Sequence, residues 1–139
     1  MWPVILAIAS TVALLCTMGF FMMGSLPLLI LKHDTPLDAR FIRSLFNLHY
    51  RAVMLTATVA ALAYGLAGKP AFCAGMAAIA LLGFGLHRTI VGRMDALRGT
   101  MTPSDAPGIA RFRRLHVSGM LLNVLQLGAV AIGLTQLAL

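Results

Sequence analysis

The sequence predicts an all-α integral membrane protein: one domain, residues 1–139, whose four transmembrane helices form an antiparallel bundle with both termini on the non-cytoplasmic side. Composition is the first observation behind this prediction. Hydrophobic residues make up 60% of the 139 residues and charged residues only 11%, whereas a soluble domain is about 45–50% apolar and about 25% charged. With a mean hydropathy of +0.91, the chain cannot cover itself with polar surface, so lipid must form part of its solvent.

Charge distribution is the second observation, and it predicts the orientation. All but one of the 11 Lys and Arg residues fall on one side of the predicted spans, and Lys69 stands alone on the other. Basic residues concentrate in cytoplasmic loops, so that side is expected to face the cytoplasm. The membrane thereby accounts for the net charge of +7, and no nucleic-acid partner is expected. The residues on the basic side are Lys32, Arg40, Arg43, Arg51, Arg88, Arg93, Arg98, Arg111, Arg113 and Arg114.

The first predicted span, residues 3–31, follows from the absence of any charged side chain up to Leu31. A helix of that length is about 46 Å long, more than the hydrocarbon core of about 30 Å. We therefore expect it to tilt, kink or project, with Pro27 as the kink point. The apolar run is too long for a cleaved signal peptide, and no basic segment precedes it.

The second predicted span, residues 45–67, is entered through an amphipathic helical segment. Thr35 is a predicted N-cap, Pro36 takes the first helical position, and Asp38 follows three residues after the cap. The helix that starts there is expected to run straight into the span.

The third and fourth predicted spans cover residues 71–90 and 114–137. Before the third span, "GLAGKP" predicts a tight turn, with Gly68 ending one helix and Pro70 opening the next. Between the third and fourth spans, residues 92–114 are predicted to be a long loop, because "TMTPSDAPG" contains the turn residues of an exposed connection.

Each predicted span carries one histidine at its cytoplasmic end, and these are His33, His49, His87 and His116. Four helices that each deliver an imidazole to one level provide what a metal or haem site in a bundle requires. Each histidine also lies within two residues of a Lys or Arg, so placement at the interface without a ligand is the alternative. His87 and His116 are the preferred ligands because they lie nearest the apolar runs. Arg51 is a candidate partner for an anionic group, with snorkelling to lipid phosphate as the alternative.

Polar side chains also enter the fourth span. Asn123 lies on the same helical face as His116, and Gln126 follows three residues later. Amides cost free energy in lipid unless they are hydrogen-bonded. This face, with Ser118 included, is therefore expected to look into the bundle as a polar seam. Hydrogen bonding between helices is its favoured role, and ligand binding is the alternative.

Small residues indicate where the helices approach one another. Stripes of them on the second and third spans predict close contact, because van der Waals packing replaces the hydrophobic driving force in lipid. The stripes are Ala52, Thr56, Ala60, Ala63 and Ala67 on the second span, and Ala71, Ala74, Gly75 and Ala78 on the third.

The stretches "VGRMDALRGT", residues 91–100, and "ARFRRLHVSGMLLNVLQL", residues 110–127, resemble the end of the bacterial transmembrane-protein-205-like family of unknown function. In that family a short Asn/Asp-x-Leu-Arg loop precedes Phe-x-x-Leu-His, a serine and an asparagine. The matching residues here are Asp95, Leu97, Arg98, Phe112, Leu115, His116, Ser118 and Asn123.

The first half of the chain resembles the HemJ-type protoporphyrinogen oxidases and the related CopD-like membrane domains. "LPLLILKH" is similar to the end of their first span, "YRAVMLTATVAALAYGL" to their second span, and "LHRTIVGR" to the exit of their third. By that resemblance the positions carried over are His33, Tyr50, Arg51, His87 and Arg93. "MWPVILAIAS" lacks their early histidine, implied there as a haem ligand, and the third span lacks their lysine. The chain therefore resembles a divergent member of this four-span group.

Two functions follow from these patterns. The first is a small redox-associated protein of the bacterial inner (plasma) membrane that holds a b-type haem or a metal near the cytoplasmic interface. The second is a non-catalytic subunit or assembly factor of a larger membrane complex, which would need no cofactor. Besides the bilayer, the expected partners are other membrane subunits or further copies of the chain. The candidate cofactor-binding residues are His87, His116, His33, His49 and Arg51.

Overall fold

The computed structural model describes residues 1–137, and every regular element in them is helical. Four helices are long and apolar enough to cross a membrane, so the prediction of an all-α chain with four candidate spans is confirmed. The third candidate span, Pro70–Thr100, combines three consecutive helical elements. The elements are α1 (Trp2–Leu28), α2 (Pro36–Leu66), α3 (Pro70–Leu86), a π-helical segment (His87–Val91), α4 (Gly92–Thr100) and α5 (Ala106–Leu137).

Helices α2 and α3 begin where the sequence predicts. The Thr35 Oγ1 accepts a hydrogen bond of 3.1 Å from the Asp38 backbone N–H, and Pro36 opens α2. This helix then continues for 31 residues, so the polar segment does run without a break into the second candidate span. At its far end Gly68 has a φ of +69°, a left-handed conformation that glycine adopts without strain. Pro70 then opens α3, and the predicted tight turn is confirmed.

Helix α1 ends at Leu28, before the predicted end of the first span at residue 31. Pro27 lies in its last turn, so the proline marks the end of the helix and not a kink within the span. After Pro27 the backbone hydrogen bonds join residues three positions apart instead of four. The Leu29 N–H donates to the Leu26 carbonyl at 3.1 Å, and the Leu31 N–H donates to the Leu28 carbonyl at 3.2 Å. Proline offers no N–H to the helical ladder, which favours this ending.

The prediction of a long loop at residues 92–114 is wrong. Helix covers Gly92–Thr100, and only residues 101–105 connect it to α5. The turn residues act within this short connection. The Asp105 carboxylate accepts a hydrogen bond of 3.0 Å from the Gly108 N–H, which satisfies one of the free donors at the start of α5.

Tertiary contacts explain why α4 is helical despite the turn residues that follow it. Met94 is fully buried among the large side chains of α2 and α5. The Asp95 carboxylate accepts two hydrogen bonds from the Arg43 guanidinium of α2, at 2.7 and 2.8 Å, and lies 3.4 Å from Arg98. The contacts with α2 and α5 join residues that are far apart in the sequence, so a prediction based on local turn residues alone cannot include them.

The buried residues form two clusters at opposite ends of the helices. One lies at the end where the basic residues concentrate, called the basic end below. It consists mainly of large side chains, among them Phe21, Ile42, Phe46, Tyr50, Met94 and Phe112. The cluster at the other end is rich in small side chains, among them Ala7, Ala57, Ala60, Ala61 and Ala63.

The candidate span that contains α3 is the least covered by the rest of the chain. In the most apolar 18-residue segment of Pro70–Thr100, 11% of the residues are buried. In the corresponding segments of the other three candidate spans, the buried share is 28% to 39%. The two small-residue stripes accordingly differ. On α2, Ala60 and Ala63 are buried as predicted. On α3 the members of the stripe, Ala71, Ala74, Gly75 and Ala78, are all exposed, so their predicted contact does not occur within the chain.

Candidate functional site

His33 occupies an unusual backbone position in the turn between α1 and α2. Its φ is +62°, and no other non-glycine residue among residues 1–137 has a positive φ. This conformation costs roughly 1–2 kcal/mol for an L-residue, yet the side chain is completely buried. The turn is tied to α5 by the Arg113 Nη2, which donates to the Leu29 carbonyl at 3.0 Å. The fold therefore holds an imidazole inside the molecule against a local preference of the backbone.

The His33 ring meets the His116 ring of α5. His33 Nε2 lies 3.0 Å from His116 Nδ1, a hydrogen bond in which the tautomer decides which nitrogen donates. Both side chains have no exposed surface. Phe112 and Phe46 pack on the pair, with ring centroids 6.2 Å from His33 and 5.6 Å from His116, respectively. Two imidazoles that are 83 positions apart in the sequence thus form one buried unit.

The outer nitrogens of this pair, His33 Nδ1 and His116 Nε2, have no hydrogen-bond partner within residues 1–137. The backbone carbonyls of Leu31 and Ser25 lie beside the two rings, outside strict hydrogen-bond geometry. Burial lowers the pKa of His33 below its ordinary value; the Leu31 carbonyl opposes this shift and the Arg113 charge adds to it. His33 is therefore neutral at pH 7, and neutral imidazole is the form that binds metal ions.

His49 belongs to the same end of the molecule but does not touch the pair. It is 5% exposed and stacks on Phe21 with ring centroids 4.0 Å apart. Tyr50 follows it at 5.2 Å, and Phe46 lies between these rings and His116. The His49 Nδ1 and the Tyr50 hydroxyl are buried and have no partner among the described residues. An aromatic layer thus separates His49 from the histidine pair.

His87, a preferred ligand in the sequence interpretation, lies elsewhere. It begins the π-helical segment, and its Nε2 lies 2.9 Å from the Asn47 Oδ1 of α2. His116 contacts His33 instead, so His87 and His116 are not brought together. Arg51 is exposed on α2 and contacts neither member of the pair. The sequence interpretation favours His87 as a ligand because it lies close to an apolar run. That criterion does not detect that the turn after α1 buries His33.

The polar seam on α5 is present in part. Asn123 and Gln126 are 2% and 7% exposed, and the Asn123 Nδ2 donates to the Met18 carbonyl of α1 at 3.2 Å. Ser118 does not belong to the seam: it is exposed and lines a cleft between α4 and α5. Its angular position explains this, since two residues correspond to about 200° around a helix from His116. The sequence interpretation assigns Ser118 to the seam because it is polar, but its position around the helix excludes it.

A second polar contact between helices escaped the sequence interpretation. The hydroxyls of Thr11 and Tyr64 lie 3.1 Å apart, and both residues are buried. This bond joins α1 to α2 at the end opposite the histidines. Nothing in the spacing of the two residues marks it, because they are 53 positions apart and both occur in helices of ordinary apolar pattern.

The distance between His33 and His116 does not suit a b-type haem, expected from the sequence, with its iron held between these two imidazoles. Two imidazoles on opposite sides of an iron need ligand nitrogens about 4 Å apart, given metal–nitrogen bonds of about 2 Å. Here the facing nitrogens are 3.0 Å apart, so the pair as placed leaves no room for an iron between them. His87 is not part of the pair, since its Nε2 lies 2.9 Å from the Asn47 Oδ1, and haem binding through other histidines stays a prediction.

A single metal ion fits better, although with few protein ligands. Tetrahedral coordination by two nitrogens sets them about 3.3 Å apart, close to the 3.0 Å between His33 Nε2 and His116 Nδ1. Residues 1–137 contain no group of three or more His, Cys, Asp or Glu side chains that could hold a metal. Because both imidazoles are fully buried and their facing nitrogens are hydrogen-bonded to each other, an ion would have to replace that bond and turn the rings to take two nitrogens from the protein. Further ligands from solvent or another molecule could reach the ion only where the pair opened.

The candidate site is thus defined by its geometry: a buried histidine pair at the basic end of a chain with four helices long and apolar enough to cross a membrane. Comparison with protein-family models, with curated proteins and with solved structures gave no match. The resemblance to the transmembrane-protein-205-like, CopD-like and HemJ-type group stays a prediction from the sequence.

Proposed function

We propose that the chain is a multi-pass protein of the bacterial inner membrane that binds one transition-metal ion through His33 and His116 near the cytoplasmic face. In this proposal the four helices form an antiparallel bundle with both termini outside the cytoplasm. The concentration of Lys and Arg at one end supports that orientation. The histidine pair lies at the same end, so a bound ion would be close to the cytoplasmic interface.

The observation that carries the proposal is the 3.0 Å approach of the two buried imidazoles. Imidazole suits Zn, Cu, Fe and Ni ions. If both facing nitrogens, His33 Nε2 and His116 Nδ1, give their lone pairs to an ion, both outer nitrogens become N–H donors. The carbonyls of Leu31 and Ser25 lie near the two rings but accept no hydrogen bond from them in this structure. In the proposal they would accept from the outer N–H groups once an ion is bound, the outer hydrogen bonding that metal-bound histidines normally have.

The cost of building the pair also supports a role beyond packing. Without an ion, one outer nitrogen of the pair must be an acceptor, and no donor among residues 1–137 reaches it. The positive φ of His33 adds strain, and persistent strain of this kind concentrates at functional sites. A contact that served only to join the turn to α5 would be cheaper with two apolar side chains.

Whether the protein has the redox role predicted from the sequence depends on which metal ion it binds. Copper or iron at this position would supply one-electron chemistry when bound. The residues of the chain would hold the ion, and Phe46 and Phe112 would limit the access of water to it. A zinc ion at the same place would make the site structural.

Metal content of the purified full chain tests the proposal. The protein is extracted in mild detergent, incubated with Cu²⁺ or Zn²⁺, passed through gel filtration and assayed for metal and for visible absorption. We expect one ion per chain and no Soret band. His33→Asn, which tolerates a left-handed backbone, and His116→Ala should bind more weakly by over about 100-fold, since even outer-shell changes cost about 10- to 100-fold.

The matched control is His87→Ala, which removes a histidine at the same end and should retain the ion. Equal metal content in His116→Ala and the wild type, or none in the wild type at micromolar free ion, would overturn the proposal. A Soret band that shifts on reduction would restore haem and place it elsewhere in the molecule.

A second function, that of a non-catalytic subunit or assembly factor of a larger membrane complex, is favoured by α3. Its exposed stripe, Ala71 to Ala78, offers the small side chains that let helices approach closely in lipid. Ala74→Leu should disrupt an assembly that runs as one band on a native gel, whereas Ala13→Leu, the same change on an exposed position of α1, should not. A wild-type chain that runs as a lone monomer would exclude this function.

A further inference from the structure

A cleft of about 640 Å³ opens between α4 and α5 at the basic end, on the side of α5 that faces away from the histidine pair. Both helices contribute to it with the same spacing. On α4 an arginine is followed by a leucine four residues later and a hydroxyl seven residues later, and on α5 the same order recurs. The residues are Arg93, Leu97 and Thr100, and Arg111, Leu115 and Ser118.

This spacing places each set on one helical face. Arg114 joins the α5 set, three residues after Arg111. Most of the surface that lines the cleft is apolar, with the guanidiniums and hydroxyls as its polar part. The cleft therefore combines an apolar wall with positive charge, which suits an amphiphile that carries a negative group.

The arginines of the cleft are not neutralised by the protein. Within residues 1–137, Arg93, Arg111 and Arg114 make no salt bridge, and they donate no side-chain hydrogen bond. Neighbouring arginines differ, since Arg43 and Arg98 share the Asp95 carboxylate. Three uncompensated charges beside one apolar cleft form a complementary site for an anion.

We infer that this cleft binds an anionic phospholipid, with its phosphate against Arg93, Arg111 and Arg114 and the first part of an acyl chain along Leu97 and Leu115. Arginine pairs with phosphate through two parallel hydrogen bonds, and basic clefts between membrane helices commonly hold anionic headgroups. The Ser118 hydroxyl can donate to a remaining headgroup oxygen, and the Thr100 hydroxyl can do so by giving up its long bonds to the carbonyls of Ala96 and Leu97, 3.5 and 3.4 Å. The site is separate from the histidine pair and does not rest on the metal proposal.

The apolar wall decides between a lipid and a free phosphate ion. A free ion gains nothing from Leu97 and Leu115, whereas an acyl chain can cover them. The cleft is open, and its α4 residues directly follow the apolar part of the candidate span Pro70–Thr100. In a membrane it would therefore lie at the level of the lipid headgroups, next to the acyl chains. A diacyl lipid can enter from the bilayer without leaving it.

Native mass spectrometry of the full chain in mild detergent tests the inference. Dioleoyl phosphatidylglycerol and dioleoyl phosphatidylcholine are titrated separately, and the dissociation constant of the first lipid adduct is measured. We expect at least about fivefold tighter binding of phosphatidylglycerol for each arginine engaged, since one basic residue near an anionic lipid contributes about 1 kcal/mol. Arg111→Gln should therefore weaken phosphatidylglycerol binding about fivefold and leave phosphatidylcholine unchanged.

Arg40→Gln is the matched control, because Arg40 is exposed at the same end and does not line the cleft. It should leave the preference for phosphatidylglycerol intact. The combined variant R93K/R111K/R114K keeps the charge and should fold, and it should retain selectivity with weaker binding. Equal binding of the two lipids by the wild type, or an equal loss in Arg40→Gln, would overturn the inference. Displacement of phosphatidylglycerol by millimolar inorganic phosphate would also overturn it, in favour of a free anion.

Discussion

The two ends of the molecule are built on different chemistry. At the end opposite the basic residues, small side chains such as Ala57, Ala60 and Ala63 let α1, α2 and α3 approach closely, and Thr11 and Tyr64 supply the polar contact. At the basic end the core is aromatic, and it encloses histidines with unpartnered nitrogens. The first end combines close van der Waals contact with a buried hydroxyl pair that is hydrogen-bonded, while the basic end also buries imidazole nitrogens that have no partner among residues 1–137.

The largest effect is expected where the aromatic end is tightest. Gly119 lies directly under the Phe46 ring, and a Cβ added there would overlap the ring atoms Cε1 and Cζ. Gly119→Ala should lower the free energy of unfolding by about 1–3 kcal/mol, as overpacking does. Unfolding by sodium dodecyl sulfate, followed by circular dichroism, measures it.

Gly128→Ala, on the same helix, is its control. Nothing lies within 4 Å of a Cβ at that position, so the change should be neutral, or stabilising by up to about 1 kcal/mol through helix propensity. Equal destabilisation by the two substitutions would mean that α5 does not pack against Phe46 as described.

Acid should affect the basic end next. Because burial lowers the pKa of His33, the unfolded chain takes up a proton below about pH 6.5 that the folded chain does not. The free energy of unfolding of the metal-free protein should therefore fall as the pH drops below about 6.5, by at most about 1.4 kcal/mol per pH unit for this group.

His33→Asn should flatten this pH profile, since asparagine tolerates the positive φ and does not titrate. Detergent unfolding at pH 7.5 and pH 5.5 in both proteins provides the comparison. An identical pH dependence in the variant would show that other groups control acid stability.

Polar contacts between helices should have the smallest effects. A double-mutant cycle of Thr11→Val and Tyr64→Phe should give a coupling of about 0.6 kcal/mol, the average for such bonds in membranes. Asn123→Leu, which removes the 3.2 Å bond to the Met18 carbonyl, should cost a similar amount. A coupling above about 2 kcal/mol in the Thr11–Tyr64 cycle would remove the energetic distinction between the two ends.

Local chemistry explains which parts of the fold could be predicted from the sequence. The N-cap Thr35, the left-handed Gly68 and the initial Pro70 act within a few residues, so their patterns identify helix boundaries directly. The length of α4 depends on Met94 and on the Arg43–Asp95 pair, contacts with residues far away in sequence. Turn residues after α4 therefore suggested a loop that the tertiary structure does not allow.

The candidate site shows the same limit. The sequence places all four histidines at one end, but their depth and pairing depend on one turn. A positive φ at His33 cannot be inferred from the residues around it, so the sequence interpretation keeps His33 as a candidate but prefers His87 and His116. The assignment of Ser118 to the polar seam could have been avoided from the sequence alone. On an ideal helix its angle from His116 already points its side chain away from the bundle.

The most direct test of the metal proposal is X-ray absorption at the copper or zinc K-edge of the loaded protein, which counts imidazole ligands. We expect two imidazoles per ion in the wild type and in His87→Ala. In His116→Ala we expect either no bound ion or an ion with a single imidazole ligand. Spectra that are identical in the wild type and His116→Ala would contradict the metal proposal and leave the His33–His116 pair as a packing contact.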